Sequence, residues 1–168
     1  MAVAVTLVAH DTGAHAATAA PIDVGVNMAL RVLYASSARA RTLRSKAKAI
    51  LVFPRVRPAA GGFGGDGALR QGGMTTGYYH TLGGSAPSGV PSFGYALFFL
   101  SDAALDSLPK SQDWEIGAGV IVLDQATARR RSTASLPDDI YAFVFNEKGL
   151  MTGIGIRGAK ITHIHPGE

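Results

Sequence analysis

The stretch from Asp139 to Ile164, DIYAFVFNEKGLMTGIGIRGAKITHI, decides the fold class. The apolar run Tyr141 to Phe145 predicts a strand. Asn146-Glu147-Lys148-Gly149 predicts a hairpin turn, with Gly149 supplying the positive φ that such loops need. Leu150 to Ile156 alternates Gly153 and Gly155 with Met151, Ile154 and Ile156, and is read as a second strand. Arg157-Gly158 turns the chain into Lys160 to Ile164, where polar and apolar residues alternate with period two. Three strands joined by two tight turns imply an antiparallel sheet.

Working outward, Asp124 to Pro137 is polar, contains Arg129-Arg130-Arg131 and reads as a loop. Trp114 to Leu123 alternates and predicts a strand, and Asp102 to Leu108 predicts a short helix capped by Ser101. The interval Gly61 to Gly94 holds 12 of the chain's 21 glycines, which leaves room only for short strands and turns. Strands are expected at Ala68 to Arg70, Thr75 to Leu82 and Ser92 to Leu100, and at Ile50 to Phe53, where Pro54 should end the strand. Ile22, Val26, Ala29, Leu30 and Leu33 share one face of a helix, which Ser36-Ser37 interrupts. A second helix is expected from Ser37 to Ala49, with Ala40, Leu43, Ala47 and Ile50 on one side. The expected fold is α+β: an N-terminal helix pair packed on twisted antiparallel sheets that form a sandwich or open barrel.

Residues 1–20 differ in kind. MAVAVTLVA is a short apolar run and HDTGAHAATAAP is rich in small residues, with an Ala14-His15-Ala16 tripeptide that suits signal peptidase. This segment is read as a disordered leader or the remnant of an export signal, and residues 21–168 as a single domain. At 168 residues the chain is long enough to bury a core without staples. The absence of cysteine excludes disulfides, thiolate metal sites and cysteine nucleophiles.

Charge is unevenly placed. The formal net charge is +4, and no acidic residue occurs between Asp23 and Asp66, an interval that holds eight of the 16 basic residues. On the expected second helix, Arg41, Arg44 and Lys48 oppose the Leu43 side, with Arg39 and Lys46 flanking them. A narrow apolar stripe with a wide basic face suits an interfacial helix on an anionic bilayer. Nucleic acid is the competing anionic partner, but Val24 to Gly62 contains only Tyr34 and Phe53 as aromatics, at apolar-periodic positions, so stacking platforms are missing.

The segment Lys148 to Ile164, KGLMTGIGIRGAKITHI, resembles the end of the SYLF family of lipid-binding domains, with Gly-Leu-Met, Gly-x-Gly and Gly-x-Lys-Ile-Thr in order. Three further blocks agree in order and spacing: AKAILVFP (Ala47 to Pro54), GDGALR with GYYHT (Gly65 to Thr81), and FGYALFFLSDAALDSL with DWEIGAG (Phe93 to Gly119). The resemblance covers about Ile22 to Pro166. It implies phospholipid binding, with actin as a protein partner in some eukaryotic members, no catalytic residue set and no cofactor. It also raises the expectation of an envelope or secreted location. The departures are RVRPAA after Pro54, shorter and more basic than usual, and SAPSGVP (Ser85 to Pro91), where a longer stretch is typical. The function expected is non-catalytic binding of anionic phospholipid through Arg39, Arg41, Arg44, Lys46, Lys48, Arg55 and Arg57. The alternative is a structural or protein-interaction module that does not need lipid.

Other motifs carry less. Gly62 to Gly67 and Gly153 to Gly158 match Gly-x-Gly-x-x-Gly, yet strand-like ALRQGG and AKITHI follow where a dinucleotide site needs a helix. They are read as bends and close-packing points. His163 and His165 share a strand face but lack a nearby third metal ligand other than Glu168. Ser85 and Ser88 lack a nucleophile elbow, and Asp138-Asp139 reads as a solvated turn.

Overall fold

The structure, a computed structural model, describes residues 2–86, 88–90, 92–108, 112–117, 119–123 and 140–166, with side chains from residue 19 onward. The chain is α+β: one nine-stranded mixed sheet curls into a half-barrel, and a long helix lies on its outer side. The elements are α1 (Ala2–Ser36), α2 (Ala38–Arg44), β1 (Ala49–Ala59), β2 (Gly62–Gln71), β3 (Met74–Gly83) and β4 (Phe93–Phe99). They continue as α3 (Asp102–Asp106), β5 (Trp114–Glu115), β6 (Val120–Leu123), β7 (Ile140–Asn146), β8 (Gly149–Leu150) and β9 (Lys160–Ile164). The strand order is β5-β9-β3-β2-β1-β4-β7-β6, with β8 paired to β7. Among the described residues only β6 and β7 run parallel. The open barrel is the member of the expected pair that forms, because every described strand belongs to one sheet.

Both faces of the sheet are buried. Inside the curl lie Leu51, Phe53, Phe63, Tyr79, Tyr95 and Leu97 with their neighbours. Outside, Val52, Ala68, Phe98, Tyr141 and Phe143 pack under Ile22, Val26, Ala29 and Leu33 of α1 and Ala40 and Leu43 of α2. Two-sided burial explains why β4 and most of β7 are continuous apolar runs rather than alternating ones.

Several expectations change. The three-strand meander from Asp139 to Ile164 does not form. β7 and β8 make the hairpin, with Gly149 at φ +120 and Asn146 Oδ1 accepting from the Lys148 amide at 2.8 Å. The pairing is Phe145 with Leu150 and Asn146 with Gly149. The chain then leaves the sheet edge: Gly153 (φ +81) and Gly158 (φ +88) bend it, and Ile156 and Ala159 are buried inside the curl. Gly155 bridges to Ser85, and β9 joins the far side of the sheet between β5 and β3. Burying Ile156 and Ala159 inside the half-barrel outweighs a local hairpin.

Pro54 does not end β1. The pairing shifts register between Phe53 and Val56 on the β4 side and between Val52 and Arg57 on the β2 side, so the strand bulges around the proline and continues. The glycine block Gly62 to Gly67 is likewise a strand rather than a bend. A Cβ at Gly67 would lie 2.1 Å from the Val52 carbonyl oxygen, and one at Gly65 would lie 2.4 Å from that of Arg55. Glycine is needed there because the bulge presses against β2. Trp114 to Leu123 divides into β5 and β6, which sit at opposite ends of the sheet order. The second helix is shorter than expected, Ala38–Arg44, with Ser37 as its N-cap accepting from the Ala40 amide at 3.1 Å. Lys46 and Lys48 therefore lie beyond it. The Ser101 cap of α3 forms as read, accepting from the Ala104 amide. The expected loop Asp124 to Pro137, Asp138-Asp139 and Glu168 lie outside the described residues, as do the side chains of residues 1–18 of the expected leader.

One polar pair sits inside the half-barrel. The Thr81 and Tyr95 hydroxyls share a hydrogen bond of 2.5 Å, and both residues are fully buried. Burial pushes the Tyr95 phenol well above its ordinary value, with the Thr81 bond opposing part of the rise. Tyr95→Phe strands the Thr81 hydroxyl and should destabilise the fold by about 1–3 kcal/mol at neutral pH. A folded pKa raised above the unfolded one gives stability that is whole below pH ~10 and falls above it, by about 1.4 kcal/mol per pH unit for one group. Urea melts from pH 8 to 11 should show a shallower alkaline loss in Y95F than in the wild type. Equal slopes would mean Tyr95 ionises as freely in the folded chain as in the unfolded one.

Candidate functional site

The docked stripe of α1 leaves a trough on each of its flanks. With about 3.6 residues per turn, Gly25, Met28 and Val32 fall on one side of the Ile22–Val26–Ala29–Leu33 stripe, and Asn27, Arg31 and Tyr34 fall on the other. The helix is clamped between them by Asp23. Its carboxylate accepts hydrogen bonds from Thr75 Oγ1 at 2.9 Å and Tyr78 OH at 2.8 Å, and Arg70 donates to the Asp23 carbonyl oxygen and to Asn27 Oδ1. Burial, then the bond to Asp23, raises the Tyr78 phenol pKa.

The first trough is a cleft of about 920 Å³ between α1 and the bulged half of β1. Four large hydrophobic residues are exposed among the described residues, and three of them, Val24, Met28 and Leu82, line this cleft. Arg55 and Arg57 also line it, and the bulge puts them there. Phe53 and Val56 both face the interior, so one inserted residue reverses the alternation beyond Pro54. Arg55 and Arg57, which would otherwise continue the inward series of Leu51 and Phe53, are exposed instead. On the cleft wall, Asp66 and His80 are cross-strand partners, with Oδ1 and Nδ1 2.7 Å apart and both side chains 41% exposed. The bond orients the imidazole. The cleft thus sets exposed apolar side chains beside Arg55 and Arg57, with the carboxylates of Asp66 and Glu147 also on its lining.

The second trough, about 520 Å³, is lined by Arg31, Arg44, Lys48 and Arg70 with Asn27 and Tyr34. The Arg44 guanidinium stacks over the Tyr34 ring at 4.9 Å, while Arg41 donates to the Tyr34 backbone carbonyl, tying α2 to the end of α1. Burial raises the Tyr34 phenol pKa, and the Arg44 charge opposes the rise.

The seven cations expected to form one surface are therefore divided. Arg55 and Arg57 meet in the first trough, and Arg44 and Lys48 meet in the second. Arg39, Arg41 and Lys46 line neither. The extended chain from Lys48 to Arg55 and Arg57 is on the order of 25 Å long at about 3.3 Å per residue. The apolar side of α2, Ala40 and Leu43, is buried in the protein and is not available to a bilayer.

Val24, Met28, Leu82, Asp66, His80, Arg31 and Arg70 are not singled out by sequence. Val24 and Met28 carry a faint signal, being apolar four residues apart beside the docked stripe. The pairing of Asp66 with His80 depends on strand register and has none. The His163 and His165 rings pack edge to face at 4.6 Å, and His163 also meets Tyr79 at 5.1 Å. Among the described residues no group of three His, Cys, Asp or Glu side chains is placed to hold a metal, and no helix is long and apolar enough to cross a membrane. Comparison with protein-family models and with curated proteins finds no match.

The exposed floor of the first trough should take up an apolar fluorescent dye. M28Q/L82Q should reduce dye binding severalfold, while thermal melts stay close to wild type because both side chains face solvent, where substitutions cost about 0.5 kcal/mol or less. Undiminished dye binding would place the accessible apolar surface elsewhere.

Proposed function

We propose that this chain binds anionic phospholipid without catalysis, in the cleft between α1 and the bulged half of β1. The observation that carries this reading is the gathering of Val24, Met28 and Leu82 beside Arg55 and Arg57 in one open trough. A phospholipid has the same division, an apolar chain next to a phosphate. Covering the exposed apolar area contributes about 25 cal/mol per Å², and each arginine near an anionic surface adds on the order of 1 kcal/mol. The formal net charge of +4 and the acid-free interval after Asp23 favour the same class of partner. So does the resemblance of Lys148 to Ile164 to the SYLF family, and a bacterial envelope or secreted location belongs to the same proposal. The proposed site differs from a membrane-lying basic helix, since α2 spends its apolar side on the core. Arg55 and Arg57 are retained from the expected set, and the apolar floor is new.

Co-sedimentation with vesicles of phosphatidylglycerol in phosphatidylcholine tests this. The wild type should pellet with the anionic vesicles and weaken as salt rises, because screening shortens to about 8 Å at physiological ionic strength. R55Q/R57Q should lower the affinity by about 30-fold, equivalent to two contacts of roughly 1 kcal/mol each, and M28Q/L82Q should also lower it. Wild-type affinity in both double variants would remove the cleft as the lipid site.

A further inference from the structure

We propose that the second trough is a separate binding site for a phosphate-class oxyanion, held by Arg31, Arg44 and Lys48. This goes beyond lipid uptake in the cleft, because the trough lies on the opposite flank of α1 and shares no lining residue with the cleft.

Four cations line the trough, Arg31, Arg44, Lys48 and Arg70, and no carboxylate does. Arg70 pairs with Asp23 at 4.0 Å, so the four lining cations less that one carboxylate leave an excess of +3. Arg70 is already engaged by Asp23 and Asn27 and forms the fixed wall. Arg31, Arg44 and Lys48 have no carboxylate within salt-bridge distance among the described residues, and all three are exposed.

They come from three different parts of the chain: Arg31 from α1, Arg44 from the last turn of α2, and Lys48 from the segment entering β1. Two of them are anchored directly. The Lys48 amide donates to the Phe99 carbonyl at 2.7 Å, and the Arg44 guanidinium lies over the Tyr34 ring. Stacking occupies the face of a guanidinium and leaves its N–H edge for an acceptor in the plane. The tip of the β2–β3 hairpin, Gly72-Gly73 with φ +60 and +81, closes the trough without side chains. A tetrahedral oxyanion with close to two charges at neutral pH matches several separated donors and a local charge excess. The phosphate could reach the trough as a soluble ion or ester, or as the headgroup of a lipid.

The full-length chain is titrated with inorganic phosphate at constant ionic strength, using chloride to balance, and followed by amide chemical shifts. A second arm uses glycerol 3-phosphate, and a third uses vesicles of phosphatidic acid in phosphatidylcholine. The expected result is a saturable response at Arg31, Arg44 and Lys48 in at least one arm. R31Q/K48Q should weaken it at least tenfold, and with the two soluble probes R55Q/R57Q, on the other flank of α1, should leave it unchanged. Saturation by the soluble probes identifies a free phosphate or phosphate ester, and saturation by vesicles alone identifies a headgroup; either supports the site. No saturable response in any arm, or wild-type affinity in R31Q/K48Q, overturns it. A response lost only in R55Q/R57Q also overturns it, while leaving the lipid reading of the cleft intact.

Discussion

The bulge in β1 is the constraint on which the rest of the architecture depends. Pro54 offers no amide to the ladder, and the strand accommodates it by inserting a residue rather than by stopping. Phe53 and Val56 then both reach the interior, and the strand is bent towards β2. That bend leaves no room for a Cβ at Gly65 or Gly67, which accounts for glycine in the middle of a strand where it otherwise weakens the sheet. The same inserted residue exposes Arg55 and Arg57. One backbone irregularity thus sets the curvature, the neighbouring composition and the placement of Arg55 and Arg57 in the cleft.

The outer face needs α1 to cover it. Val52, Ala68, Phe98 and Phe143 would be bare without the helix, and its four-residue apolar stripe is matched to them. Asp23 fixes the helix position by accepting from two hydroxyls on β3 and pairing with Arg70 of β2. Because the helix is narrower than the sheet beneath it, it leaves a trough on either side. The two troughs differ because β1 passes under both: its beginning follows Lys48, and its bulged end carries Arg55 and Arg57.

Much of this is legible from sequence where the signal is local. Helix faces follow from spacing, the cap at Ser101 from residue type, and β3, β4, β7 and β9 from apolar runs or alternation. What escapes depends on pairing between distant segments. The strand expected from Leu150 to Ile156 shrinks to β8, since burial of Ile156 inside the half-barrel is a tertiary effect that its alternation does not reveal. The course of β1 past Pro54 depends on β2 and β4 tolerating a register shift. The basic interval is visible as charge, but its division between two troughs follows from where α2 ends and β1 bulges. Arg55 and Arg57 are identifiable as a pair, whereas Met28 and Leu82, distant in sequence, meet only when α1 docks.

The strand order has a consequence for the behaviour of the chain at high concentration. Its segments most prone to form cross-β stacks are Phe93 to Phe99 and Ile140 to Phe145, apolar, rich in aromatics and free of charge. Both lie within the sheet, with neighbours hydrogen-bonded on each side, and the strands at the two ends of the order, β5 and β6, are only two and four residues long. Short terminal strands offer little template for another molecule to extend. The sequences that would nucleate aggregation are kept from contact with other molecules for as long as their neighbouring strands stay paired to them.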